Sequence, residues 1–517
     1  MSRTMALCQF VSQVLFCAVV LEQFRSVFAF PLHAAALRDT GPVFSDASQR
    51  QWLREANSPI KEQFIHVLKD EVVQRLNDLG RVSDSEEFLE RTFMSPAGLR
   101  AASQIRTWMT DAGLFTWIDD IGNVHGRFDG LNPSAPALLI GSHMDTVIVA
   151  GKFDGALGVL SAIAAVKALH KSGRLVDFPR PIEVIAFSDE EGVRFQSTFL
   201  GSGAIAGTLS PNVLQARDKS GVTVQEALQS TSLPGTPASL FALKYEPDSV
   251  WGYVEVHIEQ GPVLESMDLP LGVVDAIAGQ TRLRVSMQGA AGHAGTVPMA
   301  MRRDPMTAAA LAIVAIDELC MHPEHTLGKE LTPKGNYLVC TVGEIAAWPG
   351  ASNVIPGEVV FTVDVRAKSD KLREAAVSAM EKAINDICKD RAISCEIELK
   401  HKATTIECDS MLTEKLRAAA SSATNDLSGR PKDSLSIPSM SSGAGHDALA
   451  MAQLTRVGMI FVRCAGGISH SPLEDVHDDD VWAAGVALHS FLLQELESDV
   501  WTVEDSAHAV HNHHHTI

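Results

Sequence analysis

The stretch GSHMDTVIVAGKFDGALG, residues 141–158, holds a histidine, an aspartate two positions on, and a second aspartate in a glycine-rich turn. A divalent metal site needs deprotonated nitrogen and oxygen donors from several elements, and a ligating histidine usually has its second ring nitrogen held by a carboxylate. His143 and Asp145 offer such a pair, one as ligand and one as the group that orients it. Asp154 lies where glycine permits unusual backbone angles, so its carboxylate is placed to bridge two ions. FSDEEGVRF, residues 187–195, adds Glu190 and Glu191. Adjacent carboxylates point in different directions, which leaves one for a metal and the other for general-base work. His257 in YVEVHIEQGP and His470 in GGISHSP extend the set. An isolated H-x-D is most often structural and an acidic run is most often a solvated loop. It is their shared placement at expected strand ends that points to a metal hydrolase.

The elements that must position them read as follows. ALLIGSH (137–143) is a continuous apolar strand, ALGVLSAIAAVKALHKSG (156–173) a helix and PIEVIAFSDEEG (181–192) a second strand. This alternation predicts an α/β fold with a largely parallel sheet covered on both faces, and ligands gather at the carboxyl ends of such strands. FIHVLKDEVVQRLNDLG (64–80) has helical spacing and ends on Gly80, which suits a C-cap. From Thr281 the pattern becomes strand–helix–strand–strand–helix–strand: RLRVSMQG, DPMTAAALAIVAIDELC, YLVCTVGEI (337–345), EVVFTVDVRA (358–367), SDKLREAAVSAMEKAINDIC and SCEIELKHK. That order predicts an inserted ferredoxin-like α+β lid domain. TRVGMIFVRC and VWAAGVALHSFLLQEL then return to the first domain. The expected division is a catalytic domain from 60–275 and 403–498, a lid from 276–402, and a flexible His-rich tail from 499–517.

At 517 residues the chain exceeds one ordinary core. Its 43 Lys+Arg against 63 Asp+Glu, a net charge of −20, argue against nucleic acid as a partner and require a local cation for any anionic substrate. After Arg3, an apolar run from Met5 to Leu21 followed by SVFAF reads as a secretory signal peptide over residues 1–30; the alternative is a signal anchor, although the run is short of the ~20 residues that span a bilayer. No other segment has the length and apolarity to cross a membrane. Of eight cysteines, two lie in this leader and six are scattered with no C-x-x-C pair, so neither a zinc ribbon nor a redox motif is present, and the spacing does not show which of them pair.

Eight motifs in order, GSHMDTV, GKFDG, SDEEGVRF, HIEQGPVLE, GHAGTVPM, SNVIPG, GAGHDA and GISHSP, resemble the M20 metallopeptidase-like amidohydrolases over about residues 60 to 495, and within them the branch that cleaves ureido and carbamoyl groups. The resemblance implies one metal on His143, Asp154 and His257, a second on Asp154, Glu191 and His470, and Glu190 as general base. It implies manganese, two ions per subunit, although His and carboxylate donors also suit zinc. It assigns the substrate carboxylate to Arg366, ureido hydrogen bonds to Gln260, Asn353, His446 and the Gly445 backbone, and an oxyanion to His293, reaching across a homodimer into the partner's site. Without it, Arg366 would read as an edge-strand ion pair. The implied reaction is hydrolysis of allantoate to ureidoglycine, ammonia and carbon dioxide in ureide breakdown, with ureidoglycolate and N-carbamoyl amino acids as alternative substrates. The implied location is the endoplasmic reticulum.

Overall fold

The computed structural model describes residues 64–333, 337–428 and 436–497; the leader expected over 1–30 and the tail expected over 499–517 lie outside them. Strands are numbered in chain order. One sheet contains β1 (Phe115–Ile118), β2 (Val124–Phe128), β3 (Ala137–His143), β4 (Ile182–Phe187), β5 (Val250–Ile258), β6 (Leu271–Ile277), β14 (Ile406–Glu407), β15 (Ser439–Ser442) and β16 (Val457–Val462). Its order is β1-β2-β4-β3-β5-β16-β6-β14, with β15 on β6. The four central strands, β4, β3, β5 and β16, are mutually parallel, and antiparallel β2 and β6 flank them. Every residue of these four is buried, as continuous apolar runs require when both faces are covered. The helix Ala156–Lys171 is buried from Ala156 to Leu169. It lies so close to β5 that a Cβ on Gly158 would stand 2.0 Å from the Val256 carbonyl oxygen, which accounts for a glycine that would otherwise cost a helix interior about 1 kcal/mol.

The second sheet uses residues 279–403: β7 (Gly279–Gln288), β9 (Leu338–Thr341), β10 (Ile345–Trp348), β12 (Glu358–Ala367) and β13 (Ser394–Ala403), in the order β10-β12-β7-β13 with β9 also on β12. The expected strand 337–345 is therefore broken. β9 pairs with Asp364–Ala367 and β10 with Glu358–Phe361, and across the break the Thr362 N–H donates to Glu344 O at 3.1 Å. Alternate residues of β7 and β12 meet the helices Pro305–Met321 and Asp370–Asp390 through Leu283, Val285, Phe361, Val363, Ala312 and Met380. Disulfides Cys320–Cys340 and Cys388–Cys395 tie the ends of these helices to β9 and β13. A small ribbon pairs β8 (Gly292–His293) with β11 (Val354–Ile355).

Three local expectations change. β4 stops at Phe187 rather than 192, because the backbone N–H groups of Glu190 and Glu191 are taken by the Asp145 carboxylate instead of a ladder. β12 is an interior strand between β7 and the β9/β10 edge, so Arg366 is not on an edge. Gly80 is the helix C-cap, as the sequence implied, its N–H donating to Leu76 O at 2.8 Å, but it closes the helix at φ −63° and not in the left-handed region. Among the described residues no helix is long and apolar enough to cross a membrane.

A candidate two-metal centre

Four strand ends and two loops deliver the candidate ligands. His143 is the last residue of β3, His257 is the penultimate residue of β5, and Glu190 and Glu191 follow β4. Asp154 precedes Gly155, whose φ of +65° and close approach to the His143 ring leave no room for a side chain. His470 follows β16 at φ +53°, and Gln260 follows β5 at φ +56°, both in the left-handed region that non-glycine residues adopt mainly where the surroundings compel it.

The geometry separates the two oxygens of Asp154. His257 Nε2 lies 3.0 Å and His143 Nε2 3.5 Å from Oδ1, and the two Nε2 atoms are 3.4 Å apart. On the other side His470 Nε2 lies 3.2 Å from Oδ2 and 3.3 Å from Glu191 Oε1. Both inner histidines use Nδ1 on carbonyl oxygens, His143 on Asp145 O at 3.1 Å and His257 on Ile258 O at 2.9 Å. In the neutral ring that bond places the proton on Nδ1 and leaves the Nε2 lone pair aimed at Asp154. Asp154 Oδ1 is buried yet accepts no hydrogen bond. Two lone pairs and an orphaned carboxylate oxygen facing one point are what a cation would satisfy, so the donor set fits a divalent metal on each side of Asp154.

The electrostatics agree. Burial opposes charge on His143 and His257, but the neighbouring carboxylates of Asp145 and Asp154 raise the first and that of Asp154 raises the second. His470 is pushed up to about 10 by Asp154 and Glu191. A site that draws protons onto three imidazoles has excess negative charge for a cation to neutralise. Glu190 stands apart from Asp154: its carboxylate groups with His143 and Glu191, whereas Glu191 also groups with Asp154 and His470. Burial raises the Glu190 carboxyl well above the usual range; His143 opposes the shift, and Glu191, Asp447 and Asp145 add to it.

Residues 139–495 match the sequence profile described as peptidase family M20/M25/M40. The chain belongs to this family. Similar M20 relatives include allantoate deiminase 1 of Glycine max, 58% identical over 436 residues covering 83% of this chain and 90% of that protein, and the allantoate deiminase of Arabidopsis thaliana, 56% identical over 437 residues covering 83% of each. Among solved structures, an amidase of the hydantoinase/carbamoylase family from Burkholderia multivorans superposes with a TM-score of 0.72 at 28% identity, covering 83% of this chain and 99% of that one.

Around this M20 centre the other expected residues divide. Gln260 Nε2 donates to Asp154 Oδ2 at 2.9 Å and Ser469 Oγ at 3.2 Å. His446 packs its ring 4.4 Å from that of His257, holds Ser442 Oγ at 2.7 Å, and is kept neutral by burial and by His257. Gly445 abuts the Phe199 ring. Arg366 forms a bidentate pair with Asp364 at 2.9 and 3.0 Å and donates to Gly443 O at 2.6 Å, beside a cavity of about 590 Å³ lined also by Tyr337, Arg282 and Lys400. His293 lies on the β8/β11 ribbon and Asn353 in the turn just before β11, where Ala294 N–H donates to Asn353 O at 2.9 Å; both are exposed, and no described contact joins them to the metal-centre residues.

Sequence reasoning missed several supports. Glu474 accepts the Phe153 and Asp154 N–H groups at 2.9 and 3.1 Å and so fixes the bridging turn. Buried Glu255 accepts Ser142 Oγ and Ala448 N–H at 3.0 and 2.9 Å. Buried Arg91 donates to Met144 O at 2.6 Å. Asp447 adjoins His446 in the quoted GAGHDA motif, a signal that could have found it; the other three carry no local spacing cue.

Proposed function

We propose that this protein hydrolyses allantoate to ureidoglycine, ammonia and carbon dioxide, using two manganese ions, one held by His143, Asp154 and His257 and one by Asp154, Glu191 and His470. The observation that carries the reading is the division of donors between the two oxygens of Asp154. The named activity of relatives at 58% and 56% identity favours allantoate over a carbamoyl amino acid, since relatives named N-carbamoyl-L-amino-acid amidohydrolase stand at 36% and 38%. Divalent ions bound there would supply Lewis-acid polarisation and a water of lowered pKa. Manganese fits a set of imidazole and carboxylate donors without thiolate.

The remaining chemistry belongs to side chains. Glu190 takes the proton of the attacking water and returns it to the nitrogen that departs with ureidoglycine. The bond between the ureido carbonyl carbon and that nitrogen breaks, and the carbamate left behind decomposes to ammonia and carbon dioxide. Arg366 has three of its five N–H groups engaged by Asp364 and Gly443, which leaves two for the substrate carboxylate. Gln260, Asn353, His446 and the Gly445 backbone bind the ureido arms, and His293 stabilises the oxyanion of the partner subunit's site. Exposed Leu311, Val314 and Met321 on the lid helix Pro305–Met321 support a homodimer. Two lid disulfides support passage through an oxidising compartment, consistent with the endoplasmic reticulum; a fluorescent fusion of residues 1–40 that stayed cytosolic would overturn that location.

The deciding experiment strips the protein with chelator, reloads it with manganese or zinc, and follows ammonia release from allantoate, ureidoglycolate and an N-carbamoyl amino acid in parallel. Manganese-dependent release from allantoate is expected. Release mainly from another substrate would transfer the centre to a sister activity, and no release with metal bound would point to a binding protein.

A further inference from the structure

The loop from Ser188 to Gly201 carries both Glu190 and Glu191, yet its neck is held by a residue from another part of the sheet. Asn123, buried at the end of the β1–β2 return, accepts the Ser188 N–H on Oδ1 at 3.0 Å and donates Nδ2–H to Gly201 O at 3.1 Å. One amide therefore closes both ends of the loop. The fit is tight: a Cβ on Gly201 would stand 2.3 Å from Asn123 Oδ1 and 2.7 Å from Ser188 N. Ser188 Oγ adds a bond to Ile121 O at 3.0 Å.

Asn123 is itself locked. The Asp119 carboxylate accepts the Asn123 N–H at 2.8 Å and its Nδ2–H at 2.9 Å. Asp119 Oδ2 also pairs with His125 Nε2 at 3.1 Å, and His125 Nδ1 pairs with Glu183 Oε1 at 2.8 Å. Trp117 stacks on His125 at 4.7 Å, and Tyr245 and Arg127 hold Glu183 at 2.6 and 3.0 Å. Three buried charges fixed from both sides leave the amide one orientation.

We propose that Asn123, oriented by Asp119 and His125, is a positioning residue that sets the direction in which the 188–201 loop presents Glu191 to one metal and Glu190 to the substrate. Asp145 fixes the first turn of the same loop through the Glu190 and Glu191 N–H groups at 3.0 and 3.2 Å; Asn123 fixes where its two ends emerge. A ligand's outer partners typically alter metal affinity or activity by 10–100-fold. The effect should fall on one metal only, because the His143, Asp154 and His257 donors hang on β3, β5 and the turn held by Glu474.

This rests on the two-metal hydrolase reading, and the test keeps the two apart. Apo protein is titrated with Mn²⁺ against a fluorescent chelator, a readout independent of substrate, and kcat and KM for allantoate are then measured at saturating Mn²⁺ on folded protein. The variants are Asn123→Ala and the isosteric Asn123→Asp, with Leu488→Ala, a buried residue of the helix Asp478–Glu497, as a control for lost stability. The expected result is a 10–100-fold weakening of one Mn²⁺ of the two and a kcat loss of similar size with KM within threefold, while Leu488→Ala keeps both constants. If both Asn123 variants bind two Mn²⁺ and turn over like Leu488→Ala, Asn123 is only a fold residue and the proposal is overturned. Wild-type protein that binds two Mn²⁺ but ignores allantoate would overturn the substrate and leave the affinity comparison standing.

Discussion

The metal centre and the lid are built to different degrees of completion. In the centre, His143, Asp154, Glu191, His257 and His470 converge within 3.0 to 3.5 Å of their neighbours, and buried groups fix both the rings and the turn that carry them. In the lid, His293 on a two-pair ribbon and Asn353 beside it are exposed, and Arg366 is occupied by Asp364 and Gly443. The candidate metal ligands are thus preorganised by one chain's core, whereas the lid residues proposed above to meet the substrate stand apart from it. Preorganisation matters most where charge develops, so the two regions should fail differently when cut.

The largest effect belongs to the centre. Glu190→Gln should lower kcat by about 10²–10⁴-fold while retaining two bound metals, as read by kinetics and elemental analysis. Full turnover with metal bound would remove Glu190 from the proton path. The lid counterpart is His293→Ala, with an expected loss of about 10²–10³-fold for one missing oxyanion donor. Mixing His293→Ala with Glu190→Gln under exchange conditions should restore part of the activity, because one hybrid site is then intact. Absence of rescue would mean that each chain completes its own site.

The same division governs what the sequence disclosed. The apolar run ending in His143, the strand that carries His257 and the glycine after Asp154 made these candidate ligands legible because the chemistry and the strand end coincide locally. Arg366 was singled out by the family resemblance and not by a local pattern, and its position on an interior strand was not legible, since pairing partners are chosen across the fold. The strand expected through 192 ended at Phe187 because Asp145, distant in sequence, removed the Glu190 and Glu191 donors from the ladder. Glu474 reaches the Asp154 N–H from a sequence separation of 320, and Asn123 reaches Gly201 from 78. Groups that hold backbone across such distances leave no periodic trace.

A smaller effect tests the sheet that carries the centre. Despite burial, Asp119 and Glu183 raise the His125 imidazolium to about 9, and His125 in turn lowers Glu183 against its own burial. A raised histidine contributes stability that is complete below its unfolded pKa, near 6.5, and is lost as pH climbs through 9; the lowered Glu183 contributes above its ordinary range and loses it in acid. The His125 shift corresponds to roughly 3 kcal/mol. Wild-type Tm should therefore fall between pH 6.5 and 9, and His125→Gln should be less stable at pH 6.5 with a flatter profile across that window. An unchanged slope would show that His125 does not carry the charge.

The smallest effect belongs to the lid and separates the regions most directly. Cys320–Cys340 and Cys388–Cys395 both lie within the second sheet and its helices, at sequence separations of 20 and 7. Loop-closure entropy gives about 3 and 2 kcal/mol for them, the longer loop giving more. Replacing Cys320 and Cys340 by serine should lower the Tm of metal-loaded protein more than replacing Cys388 and Cys395. Neither pair should alter Mn²⁺ affinity by more than twofold, because no donor of the centre lies between residues 279 and 403. Chelation should give the reverse pattern, abolishing turnover without opening either disulfide to reductant. If serine replacement weakened Mn²⁺ as much as it loosened the lid, the centre would depend on lid packing, and the contrast between a finished site and a waiting one would fail.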